Sequence, residues 1–428
     1  CSGTSRFKDE GAQEDLVRGI KDLTPKPVVG VGRFTSPDAM VRQIKTGILD
    51  FIGAARPSIA DPFLPLKVQE GRYEDIRECI GCNICVSGDM TGSISRCTQN
   101  TAFMEEWRKG WHPDRARPKG VSESVLIIGA GPTGLEAALQ AGKRGYKVTL
   151  AEATTTLGGR VARERLLPGL SAWGRVADYR TGQLAPMPNV EIYRDSPLTP
   201  EDILAMGAEH VAIATGASWR RDAVARLHLH PIPTDPAMPL YTPDDLMAGR
   251  VPENLTVALY DDDHFYMGSV LAELLVAKGN RVHFITPAVK VAEWTDNTLE
   301  QGTIMRRLLE IGVEIHLSKA PEAIAKDEIT LGCTWTGRQT TLPCDAVVHV
   351  TSRTPNDSLF HQTKALDWQS TGIKSLKLIG DAAAPGPIAW ATYAGRNWAE
   401  TLDQPDPGDA LSFRREIAAL EPGRSLLP

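Results

Sequence analysis

Four of the chain's seven cysteines, Cys79, Cys82, Cys85 and Cys97, fall within nineteen positions as C-x2-C-x2-C-x11-C. That clustering constrains the chain more than any other feature. A disulfide framework belongs to small secreted chains, whereas 428 residues at about 150 per domain predict roughly three domains. Zinc is typically held by C-x2-C pairs set well apart. Three thiolates at i, i+3 and i+6 instead wrap three corners of a cubane, and a fourth arrives on a return loop. The spacing assigns Cys79, Cys82, Cys85 and Cys97 to a [4Fe–4S] cluster, with structural zinc as the alternative. Gly81 allows the tight turn between the first two ligands. Cys333 and Cys344, in or beside strand-like segments, are expected to be packed small hydrophobes. Residue 1 is Cys in place of Met, so a truncated or processed chain is expected.

Charge and hydropathy remove several function classes. Lys and Arg number 47 against 53 Asp and Glu, a net charge of −6, so no basic field invites nucleic acid or anionic lipid. No apolar run approaches the roughly 18 residues that span a bilayer, and the polar opening CSGTSRFKDEGAQED has no signal-peptide core. A cytoplasmic protein without membrane or nucleic-acid partners is expected.

Residues 27–33 (PVVGVGR) read as a short buried strand. Residues 36–47 read as a helix with Ser36 at the cap and Pro37 in the first turn. Residues 48–56 (ILDFIGAAR) repeat strand, glycine and Arg before a Pro-rich turn and a helix near 64–69. Two successive βα units of this kind fit the end of a (β/α)8 barrel, with a flavin mononucleotide (FMN) phosphate at Gly30, Gly32, Arg33, Ala55 and Arg56. A closed barrel takes about 250 residues. Only seventy-eight precede Cys79, so the barrel is expected to be incomplete.

After the cluster segment, strand 124–128 runs into Gly129-x-Gly131-x-x-Gly134, a helix, and a second strand ending at Glu152. Strand, glycines, helix and acid together form a dinucleotide fingerprint. The glycines admit a pyrophosphate at the helix N-terminus, and Glu152 would accept ribose hydroxyls. Gly158-Gly159-Arg160 forms a second close-approach loop, and VAIATG (211–216) and LKLIGD (376–381) supply further buried strands.

The expected fold class is α/β: a barrel end (1–70), a cluster segment and linker (71–120), a discontinuous ADP- or FAD-type domain (121–249 and 350–405), a second Rossmann-like unit (250–349) and a tail (406–428). In that second unit the turn that should carry glycines reads Asp261-Asp262-Asp263-His264-Phe265-Tyr266. A carboxylate about 4 Å from a phosphate costs on the order of 4 kcal/mol, and the aromatic rings would block backbone approach. A degenerate unit without a nicotinamide site is expected.

SRF (5–7), ARPSIADPFLP (55–65), CIGCNIC (79–85), CTQN (97–100), EEWRKGWHP (105–113), GAGPTG, ATGA and LIGDAAAP (378–385) together resemble the trimethylamine dehydrogenase family of iron–sulfur flavoproteins, which includes dimethylamine and histamine dehydrogenases. The resemblance covers essentially the whole chain and matches the C-terminal part of a longer protein. It implies FMN at a barrel mouth, a nearby [4Fe–4S] cluster, and ADP where related disulfide reductases bind FAD. Electrons from an oxidised amine would pass one at a time to an electron-transferring flavoprotein, and a homodimer is expected. By motif, Arg33 and Arg56 match the phosphate-binding strands, the four cysteines match the cluster, and Gly129, Gly131, Gly134, Glu152 and Asp381 match the ADP site.

The implied reaction takes a hydride equivalent from an N–CH carbon, giving an iminium that water hydrolyses to an aldehyde and the demethylated amine. The family's acid–base residues and flavin-linking cysteine lie upstream, so no catalytic residue is assigned. His112 is expected to be structural. The related NAD(P)H-dependent 2-enoate and 2,4-dienoyl-CoA reductases are the rival reading. Their wider second-to-third cysteine spacing and glycine turn are both missing here. An electron-transfer subunit serving a separate flavin barrel is the other alternative. Where trimethylamine dehydrogenase offers a Trp to a cation-binding aromatic box, this chain has Ser87-Gly88-Asp89 and one fewer residue before Cys97. That departure suggests another N-methylated substrate, such as an N-methyl amino acid.

Overall fold

The computed structural model describes residues 4–404; Cys1 and the expected tail, 406–428, lie outside the described residues. Val29–Val31 (β1) and Phe51–Gly53 (β2) pair in parallel, with Val29 beside Phe51 and Val31 beside Gly53. Parallel neighbours need a crossover, and the helix Pro37–Lys45 supplies it. Ser36 holds the expected cap position with extended backbone, but its side chain makes no capping bond. The Glu10 carboxylate accepts instead from the N–H groups of Thr35, at 2.9 Å, and Ser36, at 3.0 Å. The segment after β2 is a helix, Ala55–Ala60, where the sequence predicts a Pro-rich turn. Pro57 falls in its first turn, whose N–H groups have no intrahelical acceptor. The next helix, Leu64–Gln69, lies where expected.

Ser124–Ile128 (β3), Lys147–Ala151 (β4), Val190–Tyr193 (β5), His210–Ile213 (β6) and, much later, Ser375–Leu378 (β17) form a parallel sheet in the order β17-β6-β3-β4-β5. Val125, Leu126, Ile127 and Ile128 are all buried, as a strand covered on both faces requires. The helix Pro132–Arg144 closes on β3 because Gly134 has no side chain: a Cβ there would stand 1.8 Å from the Gly129 carbonyl. The helix Ile388–Thr401 crosses the same first turn through Gly395, whose Cβ would meet the Thr133 carbonyl at 2.2 Å.

Between β6 and β17 the chain leaves and returns through an antiparallel ribbon of Ala217–Trp219 (β7) and Arg353–Pro355 (β16). Leu240–Tyr241 (β8), Thr256–Asp261 (β9), Arg281–Ile285 (β10), Glu314–His316 (β11) and Ala346–Val350 (β15) form a second parallel sheet, ordered β11-β10-β9-β15-β8. Lys319–Ile324 (β12), Glu328–Cys333 (β13) and Gln339–Pro343 (β14) add an antiparallel sheet beside it.

Buried ion pairs hold residues 61–114 together and tie them to the β3 layer. Lys67 meets Asp61 at 2.7 Å, and Arg77 meets Asp114 at 2.5 Å while donating to the Pro113 carbonyl at 3.1 Å. On the far side, Arg180 pairs with Glu136 at 2.7 Å and donates to the Thr98 carbonyl at 3.3 Å, joining the Cys97 loop to the β3 layer. Removing one partner of such a buried pair strands the other charge at a cost of about 3–5 kcal/mol, so the pairs fix position even where their net stabilisation is small.

Candidate cofactor sites

The cysteine segment bends twice through left-handed backbone, at Gly81 (φ 73°) and Asn83 (φ 54°), so that Cys79 and Cys82 flank a turn and Cys85 enters the helix Ile84–Thr91. Cys79, Cys82, Cys85 and Cys97 are free, half-buried thiols. The Gly81 N–H donates to the Cys79 sulfur at 3.4 Å and the Asn100 N–H to the Cys97 sulfur at 3.4 Å. The Thr98 hydroxyl lies 3.3 Å from the Cys82 sulfur. Burial pushes the Cys82 thiol up to about 12 and the Cys97 thiol up to about 11, against these hydrogen bonds. Burial also raises Cys85, and the other three sulfurs add to it by repulsion. Sulfurs that repel one another at one place and accept N–H donors form a donor set suited to a cationic metal core. Among the described residues, the grouping of three ligands all within 4.8 Å of one another is met by His283, Glu314 and His316 and not by these sulfurs. A single zinc ion, at about 2.3 Å from each sulfur, would draw them to roughly 3.8 Å apart.

Ser87 and Gly88 are buried, and a Cβ on Gly88 would stand 2.0 Å from the Ser95 hydroxyl. The shortened return loop therefore packs where a larger side chain would have to go.

At the β1 and β2 ends the glycines and arginines are also held by the protein's own contacts. Gly30 is small because Leu49 packs on it, leaving 2.5 Å to a hypothetical Cβ, and Gly32 because the Gly11 backbone lies 2.9 Å away. Close internal packing accounts for both glycines, so they need no ligand to explain them. Arg33 adopts left-handed backbone (φ 56°), donates to the Lys8 carbonyl at 2.6 Å and lies over Gly81; its buried Nε has no hydrogen-bond partner. Arg56, beside Ala55 in the helix Ala55–Ala60, donates to the Thr4 carbonyl and the Asn83 side chain. Both guanidinium groups are thus turned onto the cysteine segment.

Gly129, Gly131, Glu152, Gly159, Arg160 and Asp381 all line one cleft of about 1010 Å³, while Gly134 lies beneath it. Gly131 caps the helix Pro132–Arg144 and has open space where its Cβ would be, which leaves that helix N-terminus open to an anion. One Glu152 oxygen accepts from the Ala130 N–H at 2.8 Å and the other from the Thr154 N–H at 2.9 Å, holding the glycine turn from beneath. Asp381 pairs with Arg160 at 3.0 Å and with Arg353 at 2.7 Å. Burial opposes the Arg160 charge, yet Glu164 and Asp381 hold its guanidinium protonated. Arg353 carried no local sequence signal: it reaches the cleft from β16 through the ribbon, a tertiary placement that spacing does not encode.

The acid turn also differs from expectation. Two of its carboxylates turn inward: Asp261 and Asp262 are buried, and Asp262 lies 3.0 Å from the His264 Nε2 and accepts from the Leu227 N–H at 2.9 Å, whereas Asp263 lines a cavity of about 300 Å³ with Phe265, Tyr266 and Met267. Burial pushes the Asp261 carboxyl up to about 7, and that side chain is packed against Gly268, where a helix glycine would otherwise receive a ligand. Tyr266 donates to Glu164 at 2.6 Å and Phe265 stacks edge-on against Trp294. Asp261, Asp262 and Tyr266 pack inward, while Asp263 and Phe265 border the cavity.

His112 accepts from the N–H groups of Asp114 and Arg115 and stacks on Phe63 with centroids 5.1 Å apart, a turn-bracing role. Cys344 is buried as expected. Cys333 is half-exposed at the end of β13, and hydrogen bonds from the Thr336 side chain and the 335–336 backbone draw its thiol down to about 7.

Three family models match successive parts of the chain: an NADH:flavin oxidoreductase / NADH oxidase family over residues 2–75, an NAD(P)-binding Rossmann-like domain over 127–194, and an OYE-like second alpha/beta domain over 241–346. Fold and site thus define an α/β flavin oxidoreductase with a Rossmann-like nucleotide-binding layer. The chain is 38% identical to the dimethylamine dehydrogenase of Hyphomicrobium sp. (strain x), over 98% of its own length and 60% of that protein's. A solved histamine dehydrogenase from Rhizobium sp. 4-9 is 63% identical with a TM-score of 0.94, over 99% of this chain and 62% of that one. The 6-hydroxypseudooxynicotine amine oxidase of Pseudomonas geniculata N1 is 48% identical with a TM-score of 0.90, over 93% of this chain and 60% of that one. The chain belongs to the trimethylamine and dimethylamine dehydrogenase family. It spans about 60% of the length of these relatives.

Proposed function

We propose that the chain carries the end of an FMN barrel, a [4Fe–4S] cluster and an ADP site of an amine dehydrogenase that demethylates secondary or tertiary N-methylated amines or N-methyl amino acids and passes electrons to an electron-transferring flavoprotein. Residues 1–70 belong to the barrel, 71–120 to the cluster segment and linker, 121–249 with 350–405 to the ADP-binding domain, and 250–349 to a degenerate second nucleotide unit. The single observation that carries this reading is the convergence of Cys79, Cys82, Cys85 and Cys97 between the β1–β2 unit and the β3 layer. Their sequence spacing, three thiolates at i, i+3 and i+6 with a fourth on a return loop, supports a cubane.

The remaining sites fit the other groups. Val29, Val31 and Phe51 are 63%, 48% and 58% exposed on a two-stranded sheet, and two strands alone are marginal in water, which fits further barrel strands covering that face. Arg33 carries a buried Nε without a partner and, with Arg56, supplies positive charge beside β1 and β2 for an FMN phosphate. Gly129, Gly131 and Gly134 open the helix N-terminus to a pyrophosphate, Glu152 has lone pairs left for ribose hydroxyls, and Asp381 holds Arg160 and Arg353 at the cleft. FMN supplies hydride acceptance and the cluster one-electron transfer when bound. The chain's own residues anchor the groups and exclude water from the cysteine segment.

Anaerobic addition of dimethylamine, N-methyl amino acids and, separately, NADH and NADPH to the purified full-length protein tests the reading. Rapid flavin bleaching by an amine or N-methyl amino acid is expected, with slow or no bleaching by nicotinamide. Rapid reduction by NADH or NADPH without amine turnover would overturn it.

A further inference from the structure

On the outer rim of the second sheet, far along the chain from the cysteines, two strands bring three ligand-type side chains together. The parallel register sets His283 of β10 beside Glu314 of β11, and Ile285 beside His316, so His283, Glu314 and His316 share one face of the sheet. His283 Nδ1 lies 3.2 Å from His316 Nε2 and 3.5 Å from Glu314 Oε2, and His316 Nε2 lies 3.6 Å from Glu314 Oε1. A divalent ion bonded tetrahedrally to nitrogen and oxygen at about 2.0–2.1 Å requires donor separations of about 3.3–3.4 Å, close to all three distances. The His283 side chain is 4% exposed, which preorganises one ligand, while His316 at 23% and Glu314 at 46% leave a path from solvent.

We infer that His283, Glu314 and His316 form a binding site for zinc or a similar divalent transition-metal ion, with the fourth position open to water. Two imidazole nitrogens and one carboxylate suit such borderline ions, whereas calcium and magnesium seek oxygen donors. Bound metal would cross-link β11, an end strand of its sheet, to β10. Arg281 is the competing cation, holding Glu314 Oε2 at 3.0 Å from a side chain 70% exposed. The site stands apart from the amine-oxidation reading and does not rely on it.

The test uses the purified full-length protein, freed of adventitious metal by a brief chelator wash and then equilibrated with zinc chloride in competition with a chromogenic chelator. One zinc per chain is expected. His316→Ala and Glu314→Gln should each weaken it by at least about tenfold, while Arg281→Gln, which frees the carboxylate, should tighten it. Magnesium at the same concentration should not compete. An unchanged far-ultraviolet dichroism spectrum and melting temperature in each variant show that loss of zinc is not loss of fold. Absence of a stoichiometric zinc, zinc that survives His316→Ala, or weaker binding in Arg281→Gln would overturn the inference.

Discussion

Cys97 ends the quartet on a loop held by Arg180, and its sulfur accepts the Asn100 N–H. Replacing it with Ser should remove most of the bound iron and sulfide, since an alcohol is a poor substitute for a thiolate at iron, while the buried Arg180–Glu136 pair keeps the surrounding fold. Iron and sulfide analysis beside a far-ultraviolet dichroism spectrum would show this. Asp261 gives a prediction with a defined sign. Burial raises its carboxyl from 3.8 to about 7, so the folded chain binds a proton that the unfolded chain has already released. Stability conferred by the neutral carboxyl is complete below about pH 4, falls as pH rises toward 7, and is gone above it. Asp261→Asn should therefore leave unfolding at pH 4 nearly unchanged and stabilise the fold at pH 8, on the order of a few kcal/mol. Denaturant midpoints at the two pH values would measure it. The cysteine quartet and Glu152 were legible in the sequence because their spacing is local. The inward turn of Asp261 and Asp262 was not, because burial is decided by β15 and by the 224–228 loop, segments that no local pattern links to β9.

At the level of elements, the helix Ile388–Thr401 lies against the first turn of the helix Pro132–Arg144 by way of Gly395. A Gly395→Ala change would place a methyl 2.2 Å from the Thr133 carbonyl and 3.0 Å from the Ala137 nitrogen, forcing the helices apart at the mouth of the nucleotide cleft. Overpacking of this kind costs typically 1–3 kcal/mol. A lower melting temperature and weaker ADP binding by calorimetry are expected. The strand–glycine–helix order around Gly129 was readable because each glycine's role is met by its immediate neighbours. Gly30 and Gly32 show the opposite case. Gly32 follows β1 as a phosphate-binding glycine would and Gly30 lies within it, yet Gly11 and Leu49 already explain their size. Nor could periodicity reveal Arg353, which acts on Asp381 from an element placed by the β7–β16 ribbon.

Across the whole molecule, three parts meet at the cysteine segment: the β1–β2 unit through Arg33 and Arg56, the β3 sheet through Arg180, and the connection between β10 and β11 through the Asn83 side chain, which donates to the Thr298 carbonyl at 2.9 Å. A wire placed at such a junction can take electrons from a flavin on one side while the nucleotide layer supports it from behind. Iron and acid-labile sulfide analysis combined with electron paramagnetic resonance of amine-reduced full-length protein tests this arrangement most directly. Four irons and four sulfides per chain, with a reduced-cluster signal that grows as the amine is consumed, are predicted. One zinc in place of iron, or a cluster that stays oxidised while the amine turns over, would contradict it.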